Sequence, residues 1–137
     1  MGLNLELKLH DHVKPVELVE AVLPILANTP FPADQMLLSS FDFDVLRLVR
    51  QQDENAALAV IAENATDEVF DLAAEIGAQS LNLWWETTSY ADVQRALEAG
   101  LSVNVWTTNE PDKVASMPAW GVHSFISNCP QDFTAFA

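Results

Sequence analysis

Short runs of apolar residues recur along the chain, and stretches with helical periodicity lie between them. The runs cover residues 3–9, 36–40, 57–62, 80–85, 101–106 and 123–127. Their first residues are 33, 21, 23, 21 and 22 positions apart, a spacing that fits one strand, one helix and two short loops. Because strands that alternate with helices pair in parallel through helical crossovers, the pattern predicts an α/β fold with parallel strands.

Residues that start or interrupt helices support this division. Pro15 stands where a first-turn proline is tolerated, and Pro111 is placed to open a later helix. Ser89 precedes Asp92 by three residues, which resembles a capping box. Pro24 falls inside the apolar periodicity of the first helix. We expect a kink or an irregular late turn there, because proline removes one backbone donor.

The first strand alternates strictly between apolar and polar positions. Leucines occupy one face, and the other face carries Asn4, Glu6, Lys8 and His10. Polar or large side chains recur on this parity in two later runs, at Asn82, Trp84, Asn104 and Trp106. An open doubly wound sheet has helices on both faces, so a polar face would be costly there. The inner face of a β/α barrel accommodates such groups, and the pattern therefore favours a barrel.

We predict a TIM-barrel-like (β/α)8 fold in which about six parallel strands, each followed by a helix, form an incomplete ring. A barrel with a filled interior closes with about eight strands. No linker or low-complexity tract separates the units, so residues 1–137 are expected to form a single domain. Either two strands are missing, or an open or intertwined assembly completes the ring.

Composition narrows the class of partner. The 137 residues include 20 acidic and 6 basic side chains, which gives a net charge of −14. Nucleic acids and anionic membrane surfaces attract basic patches, so neither is an expected partner. Apolar residues make up 50% of the chain, a content that favours a packed core over disorder.

The single cysteine, Cys129, excludes an internal disulfide framework and a cysteine-rich zinc site. No apolar run reaches the ~18 residues that a bilayer-spanning helix needs. The first residues lack the basic and apolar regions of a secretory signal peptide. We therefore expect a cytoplasmic location.

Four segments resemble motifs of the glycerophosphodiester phosphodiesterase family, in the same order and at compatible spacings. Residues 4–8 (Asn-Leu-Glu-Leu-Lys) resemble its Asn-x-Glu-x-Lys strand, and residues 38–42 (Leu-Ser-Ser-Phe-Asp) resemble its Ser-Ser-Phe segment. Residues 103–109 (Val-Asn-Val-Trp-Thr-Thr-Asn) are similar to its Val-Trp-Thr-Val-Asn strand. Residues 120–130 (Trp-Gly-Val-His-Ser-Phe-Ile-Ser-Asn-Cys-Pro) are similar to its closing Gly-Val-Asp-Gly-Ile-Ile-Thr-Asp-x-Pro stretch. Each motif is weak alone, but the ordered set covers essentially the whole chain.

The resemblance implies a (β/α)8 barrel of roughly twice this length, of which this chain looks like strands three to eight. It also implies metal-dependent hydrolysis of glycerophosphodiesters to glycerol 3-phosphate and an alcohol, a step of lipid and glycerol metabolism. The family's early His-Arg-Gly, Glu-Asn-Thr, Glu-x-Asp and His-Asp motifs do not occur at corresponding places here. The expectation is a phosphoric diester hydrolase that is a truncated part of the full enzyme and inactive alone.

Four residues at family positions are the candidate site residues. By resemblance, Glu6 is a metal ligand for Mg²⁺ or Ca²⁺, since a carboxylate suits either ion. Lys8 is the catalytic positive charge beside the phosphate. The alternative for both is a salt bridge between them. Phe41 and Trp106 are substrate-binding residues for the glycerol and the leaving group, and their alternative role is packing at the barrel mouth.

The three histidines have no matching catalytic position in the family. His10 and His12 look like an acid/base or metal pair, but the preferred interpretation is a pair of solvated loop residues. By resemblance, His123 and Asn128 stand where the family has aspartates, which would remove two carboxylates from the end of the barrel.

Two other functions stay open. A non-catalytic remnant would associate through its open sheet edges, residues 3–9 and 123–127, as a homo-oligomer or a swapped dimer. A different phosphate-binding barrel enzyme, such as an isomerase, is the third hypothesis, and the order of the motifs argues against it. Metal-dependent turnover favours the phosphodiesterase, association without turnover favours the remnant, and turnover that ignores chelators favours the third hypothesis.

Overall fold

Parallel strands form one curled sheet in the computed structural model, which describes residues 2–136. The strands are β1 (Leu3–Glu6), β2 (Met36–Ser40), β3 (Ala57–Ala62), β4 (Ser80–Trp84), β5 (Ser102–Trp106) and β6 (Ser124–Phe125). Each strand pairs with the next one along the sequence, and every pair is parallel. The predicted set of strands is therefore confirmed, although β1 and β6 are shorter than expected.

A helix follows each strand in the described chain. The α-helices are α1 (Pro15–Ala27), α2 (Phe43–Gln52), α3 (Asp67–Ile76), α4 (Tyr90–Glu98) and α5 (Met117–Trp120), and a 3₁₀ helix at Pro130–Phe136 follows β6. The predicted capping box at the start of α4 is confirmed. The Ser89 N–H donates to Asp92 Oδ2 (2.9 Å), and the Asp92 N–H donates to Ser89 Oγ (3.2 Å).

The two helix-associated prolines have different outcomes. α1 runs through Pro24 and ends at Ala27, so the proline does not end the helix, and the kink or irregular turn expected there stays a prediction. Asn28 Nδ2 donates to the Pro24 carbonyl (2.7 Å). The helix expected at Pro111 is instead a 3₁₀ helix, Pro111–Val114, that precedes the short α5. A continuous α-helix is disfavoured there, because Pro118 lacks the N–H that would bond back along it.

The chain leaves the sheet earlier than expected after β1. The Leu7 N–H still donates to the Ser39 carbonyl (2.7 Å), and then a turn in which the Val13 N–H donates to the His10 carbonyl (3.1 Å) redirects the backbone. His12 has a φ of 77° in this turn, in the left-handed region that residues other than glycine adopt rarely. The histidines therefore lie in a turn and not on an extended strand.

Helices cover one face of the sheet and bury its apolar positions. The core includes Leu38 of β2, Val60 of β3, Leu83 of β4 and Val103 of β5, together with helix residues such as Val45. Each side chain of this size stabilises the fold by about 1.5–3 kcal/mol when fully buried. The strands follow sequence order without reversal, whereas a doubly wound sheet reverses its order near the middle. This topology supports the predicted barrel.

The other face lines the inside of the curl. Polar side chains recur on it, as predicted, although Leu37, Ala59 and Ile61 also lie on it. Ser124 Oγ donates to Asn104 Oδ1 (2.6 Å), and Asn104 Nδ2 donates to Asn82 Oδ1 (2.8 Å). We call Asn82, Asn104 and Ser124 the inner row. Closer to β1, Ser39 Oγ donates to Asn4 Oδ1 (2.8 Å). Asn82 and Asn104 are only 1% and 7% exposed, so their amides depend on protein partners in place of water.

The ring is not closed by the described residues. β1 is bonded only to β2, and β6 only to β5. The structure is therefore a half-barrel with two free edges, and the predicted incomplete TIM-barrel-like α/β fold is confirmed. In the described part of the chain, the helices are too short or too polar to cross a membrane.

The inner row gives a stability prediction. Replacing Asn104 with alanine removes the acceptor of Ser124 and the donor to Asn82. We expect the free energy of unfolding to fall by about 2–4 kcal/mol, because buried polar groups lose their partners. Urea denaturation measures this change. Asn55→Ala, at an exposed position, is the control and should change stability by less than about 0.5 kcal/mol. Equal effects of the two substitutions would contradict the prediction.

Candidate active site

The carboxyl ends of β1 and β2 border a cavity of about 260 Å³. We call it the site cavity, and its lining consists of Glu6, Leu7, Lys8, Leu9, Ser40, Phe41 and Asp42. The fold thus brings together three of the four candidate residues, Glu6, Lys8 and Phe41. Barrel enzymes place their reacting groups at this end of the strands, because the loops that follow the strands converge there.

Phe41 is held at the rim of the cavity because both of its neighbours are fixed. Ser40 Oγ donates to the Leu7 carbonyl (2.7 Å) and accepts from the Asp42 N–H (3.0 Å). Asp42 Oδ1 accepts from the Val45 N–H (2.9 Å) and so caps α2. Phe41 itself is 46% exposed. The turn therefore presents a large apolar ring to solvent in a defined position.

Trp106, the fourth candidate, packs against Phe41. The two ring centroids are 5.3 Å apart and the rings meet edge to face. Because Phe41 follows β2 and Trp106 ends β5, the pair reaches across the ends of β3 and β4. Trp106 Nε1 donates to the Asn82 carbonyl (2.9 Å), which fixes the indole on β4. All four candidates therefore lie in one region of the half-barrel.

Most basic side chains of the described chain are engaged elsewhere. Arg47 bonds to Glu75, and Arg95 pairs with Asp67. The hydrogen bond and charge of Glu110, whose Oε1 lies 2.6 Å from Lys113 Nζ, raise the pKa of Lys113. The guanidinium group of Arg50 donates hydrogen bonds to backbone carbonyls, among them that of Ile76 (2.7 Å). These four residues are not available to bind a ligand without losing a partner.

Lys8 is different, because its ammonium group has no hydrogen bond or ion pair to any described residue. The salt bridge with Glu6 that the sequence allows is not formed among these residues. Lys14 is the other unpaired cation, but it precedes α1 and does not line the site cavity. Lys8 is therefore the cation that the site cavity offers to an anionic ligand.

Glu6 alone does not make a metal site. Its carboxylate is exposed and carries no ion pair to a described residue. Mg²⁺ and Ca²⁺ take about six or more oxygen ligands, usually including more than one protein group. No group of three or more histidine, cysteine, aspartate or glutamate side chains in the described chain could hold a metal ion. The residues present supply one ligand and do not fit a complete site.

The histidines are not at the site cavity. His10 and His12 are exposed in the turn after β1, and neither lines the cavity. Asn128 follows β6 at the carboxyl end, as expected. His123 precedes β6 and its N–H donates to the Val103 carbonyl (2.7 Å). His123 therefore lies at the amino end of β6, opposite the site cavity, whereas Asn128 lies at the carboxyl end.

Sequence reasoning missed Asn109, whose side chain joins the ends of β5 and β6. Asn109 Oδ1 accepts from the Asn128 N–H (2.9 Å) and from Ser127 Oγ (3.2 Å). The signal was an asparagine in the loop three residues after the end of β5, since asparagine side chains in loops commonly bond to backbone groups. Asn109 thereby fixes the loops beside Trp106.

A larger cavity, of about 400 Å³, lies at the amino end of the strands. Its lining includes Asn4, Ser80, Asn104, His123 and Ser124. None of the four candidate residues borders this larger cavity, so the larger of the two cavities is not the candidate active site. This amino-end cavity is the lower part of the polar interior of the half-barrel.

Known proteins share both the sequence pattern and the fold. Residues 5–132 match the sequence model of the Glycerophosphoryl diester phosphodiesterase family. No match was found among curated proteins. The match to the family therefore covers most of the chain and does not depend on any single relative.

Three solved structures illustrate the similarity. A phosphodiesterase from Oleispira antarctica, in complex with its product sn-glycerol-3-phosphate, superposes with a TM-score of 0.89 at 22% identity, over 99% of this chain and 55% of that one. A candidate glycerophosphoryl diester phosphodiesterase from Silicibacter pomeroyi gives 0.82 at 26% identity, over 98% and 49%. A glycerophosphodiester phosphodiesterase from Parabacteroides distasonis gives 0.80 at 19% identity, over 98% and 56%.

These structures share the fold of the half-barrel, and the chain spans about half of their length, between 49% and 56%. The family match extends well beyond half of the present chain. On these grounds, the chain belongs to the glycerophosphoryl diester phosphodiesterase family.

Proposed function

We propose that this chain provides the phosphate-binding half of a glycerophosphodiester phosphodiesterase, an enzyme that releases glycerol 3-phosphate and an alcohol. The observation that carries the proposal is the unpaired Lys8 beside Glu6 and Phe41 in the site cavity. The O. antarctica phosphodiesterase, which has the same fold over this length, holds sn-glycerol-3-phosphate. The substrate we assign is accordingly a small glycerophosphodiester, and the reaction is in the lipid and glycerol metabolism of the cytoplasm.

Lys8 is the phosphate-binding cation in this proposal. Its ammonium group is a compact charge with three donors, and no described acidic group neutralises it. A hydrogen bond to a charged phosphate oxygen contributes about 1.5–3 kcal/mol. The same charge would stabilise the additional negative charge that develops on the phosphoryl group during hydrolysis.

In a complete barrel that supplied further oxygen ligands, Glu6 would be one ligand of a divalent cation, Mg²⁺ or Ca²⁺, and the cation would neutralise charge on the phosphodiester. The remaining ligands have to come from outside the described residues, since these contain no sufficient cluster. Phe41 and Trp106 provide the wall against which the glycerol and the leaving group rest. Their rings are already packed together at 5.3 Å, so little ordering is needed when the substrate binds.

The general acid and base also have to come from outside this half-barrel. A group that protonates the leaving alkoxide must lie within hydrogen-bond reach of it, and neither His10 nor His12 lines the site cavity. We infer that residues 1–137, as one domain, correspond to strands three to eight of the family barrel. The other part of the barrel carries the acid–base groups, and this chain alone is inactive.

The role of Lys8 is tested by binding of glycerol 3-phosphate to the purified chain. We expect Lys8→Met to weaken binding by about tenfold or more, because one charge-assisted hydrogen bond is lost. Isothermal titration calorimetry at low ionic strength measures the dissociation constant. The matched control is Lys14→Met, which removes the other unpaired lysine at a position outside the cavity and should leave affinity within about twofold. Equal losses in both variants would indicate nonspecific attraction and reject the role.

Hydrolysis is tested separately by the release of glycerol 3-phosphate from glycerophosphocholine, with Mg²⁺, with Ca²⁺ and with EDTA. We expect no release by this chain above that by Glu6→Ala, because the acid–base groups are not in it. Metal-dependent release that disappears in Glu6→Ala would show that the chain is complete as a catalyst. That outcome would make His10 and His12 the first residues to replace.

The free edges of β1 and β6 favour a second candidate function. In this alternative the chain is a non-catalytic remnant that forms a homo-oligomer or a swapped dimer through those edges. This alternative predicts that the molar mass, measured by light scattering after gel filtration, rises with protein concentration. It also predicts that the chain does not bind glycerol 3-phosphate. The phosphodiesterase proposal predicts binding by the chain at a concentration where its mass is that of one copy, 15.1 kDa.

A further inference from the structure

Phe41 and Trp106 form a partly open aromatic corner at the carboxyl ends of the strands. Their ring planes meet at 84° with the centroids 5.3 Å apart, so two flat faces stand nearly perpendicular to each other. Phe41 is 46% exposed, and Trp106 is half-buried. Trp84, also half-buried, is the register partner of Trp106 on the neighbouring strand. Aromatic surface is therefore accessible to a ligand in this region.

No cation of the described chain occupies the aromatic corner. The described residues do contain one contact between a cation and a ring, in which the guanidinium carbon of Arg95 lies 3.9 Å from the ring centroid of Phe70. The face of an aromatic ring carries partial negative charge and attracts cations, and tryptophan does so most strongly. The corner at Phe41 and Trp106 can therefore receive a cation that a ligand brings.

Glu63 places a negative charge beside this aromatic surface. The register of β3 and β4 pairs Ala62 with Leu83, so the next residue of each strand brings Glu63 level with Trp84. The Glu63 carbonyl accepts a hydrogen bond from Thr87 Oγ, which ties its backbone to the turn after β4. Glu63 also continues the parity of the inner face. A carboxylate next to aromatic rings favours a cation over a neutral group.

The carboxylate of Glu63 is not neutralised by the described chain, because it has no ion pair there. Glu86, the acidic residue after β4, differs in this respect. Its charge, together with the hydrogen bond and charge of Glu110, raises the pKa of Lys113, so Glu86 already has a cation nearby. Glu63 is therefore the carboxylate at this end of the sheet that is available to a cationic ligand.

The unpaired charges of Lys8 and Glu63 are arranged for a ligand with both signs of charge. Lys8 follows β1 and Glu63 follows β3, so they are about 10 Å apart, which is twice the spacing of neighbouring strands. A phosphate joined to an ammonium group by a two-carbon linker can lie between them. A chain with a net charge of −14 also repels a zwitterion less than it repels an anion.

We propose that the aromatic corner and Glu63 form a subsite for a quaternary ammonium group, so that the leaving alcohol of the preferred substrate is choline-like. The assignment rests on the proposed function, and it adds the chemical class of the head group. The methyl groups of a quaternary ammonium pack against the two perpendicular ring faces, and Glu63 balances its charge. A neutral polyol such as inositol carries no charge for the rings or for the carboxylate.

The subsite is tested first with tetramethylammonium, which carries the cation without a phosphate. We expect it to shift the NMR signal of the Trp106 indole N–H in a saturable manner. The internal control is Trp120, whose ring meets that of Tyr90 at 83° with the centroids 6.3 Å apart. That pair lies on α4 and α5, away from Glu63, and the Trp120 signal should stay in place.

Replacing Glu63 with glutamine measures the contribution of the carboxylate. We expect Glu63→Gln to weaken tetramethylammonium binding by about threefold, in the range of one exposed ion pair. The matched control is Glu54→Gln, which removes the same charge before β3. The strand separates the two positions by about 20 Å, beyond the screening length of about 8 Å at physiological ionic strength. The control should therefore change affinity by less than about 1.5-fold.

The head-group preference is measured by calorimetry with three glycerophosphodiesters at the same ionic strength. We expect the dissociation constant of glycerophosphocholine to be about tenfold lower than that of glycerophosphoinositol, with glycerophosphoethanolamine between them. Glu63→Gln should reduce the tenfold difference to about threefold. Equal affinity for the choline and inositol esters would overturn the inference. An ethanolamine ester that binds as tightly as the choline ester would overturn the preference for a quaternary group.

The outcomes separate this inference from the proposed function. Lys8→Met should weaken the binding of glycerol 3-phosphate but leave tetramethylammonium binding unchanged or stronger, because it removes a positive charge. Binding of tetramethylammonium at Trp106 without binding of glycerol 3-phosphate would reject the phosphate position and support the ammonium subsite. Binding of glycerol 3-phosphate with no shift at Trp106 on adding tetramethylammonium would overturn the subsite and leave the proposed function standing. Equal losses in Glu63→Gln and Glu54→Gln would also overturn it, since they would show only a general attraction of cations.

Discussion

Helices cover only one face of the sheet, and this constraint governs the rest of the molecule. Because the strands pair in sequence order, each crossover returns to the same side and buries the same parity of side chains. Apolar strand residues such as Leu38 and Val103 belong to that outer core. The opposite parity has no described helix against it, and serine, asparagine and tryptophan hold most of its positions, together with Leu37, Ala59 and Ile61. The curl of the sheet shields this inner face, where Asn82 is only 1% exposed.

The sheet and α2 hold the aromatic residues of the site cavity in place. Phe41 is positioned by its two neighbours, because Ser40 bonds to the Leu7 carbonyl and Asp42 caps α2. Trp106 is held in the same way through Asn82. The aromatic wall is thus fixed before any ligand arrives, whereas the charged groups Glu6 and Lys8 remain exposed and unpaired. This combination leaves the charged side chains free to respond to a phosphate while the apolar groups keep their places.

The fold was largely predictable from the sequence, because its two main signals are local. The spacing of apolar runs located all the strands, and the alternation along residues 3–9 identified the polar inner face. Prolines were harder to interpret: α1 tolerates Pro24, whereas Pro118 turns the expected helix at Pro111 into two short pieces. The grouping of Glu6, Lys8, Phe41 and Trp106 came from the family resemblance. Periodicity could not have provided it, because rings from β2 and β5 meet across two intervening strands.

Other features could not be read from local sequence at all. The bond from Asn109 to residues beyond β6 depends on how two loops approach each other. Whether Glu6 and Lys8 form a salt bridge was undecided on the sequence, since both lie on one face of a strand, and only their surroundings determine it. Ser80 Oγ and Asn82 Nδ2 are buried without a hydrogen-bond partner among the described residues, and this too becomes apparent only when neighbouring strands are in place.

The order in which the strands pair has a kinetic consequence. Each strand bonds to the one that follows it in the chain, so most contacts join segments separated by a single helix and its loops. The loop that closes each pairing is shorter than it would be between strands far apart in the chain, so its entropic cost is smaller. The half-barrel can therefore grow one unit at a time along the chain, as repeat proteins do. During synthesis each new unit would find its neighbour already formed, and the chain would not have to wait for its end to emerge before folding begins.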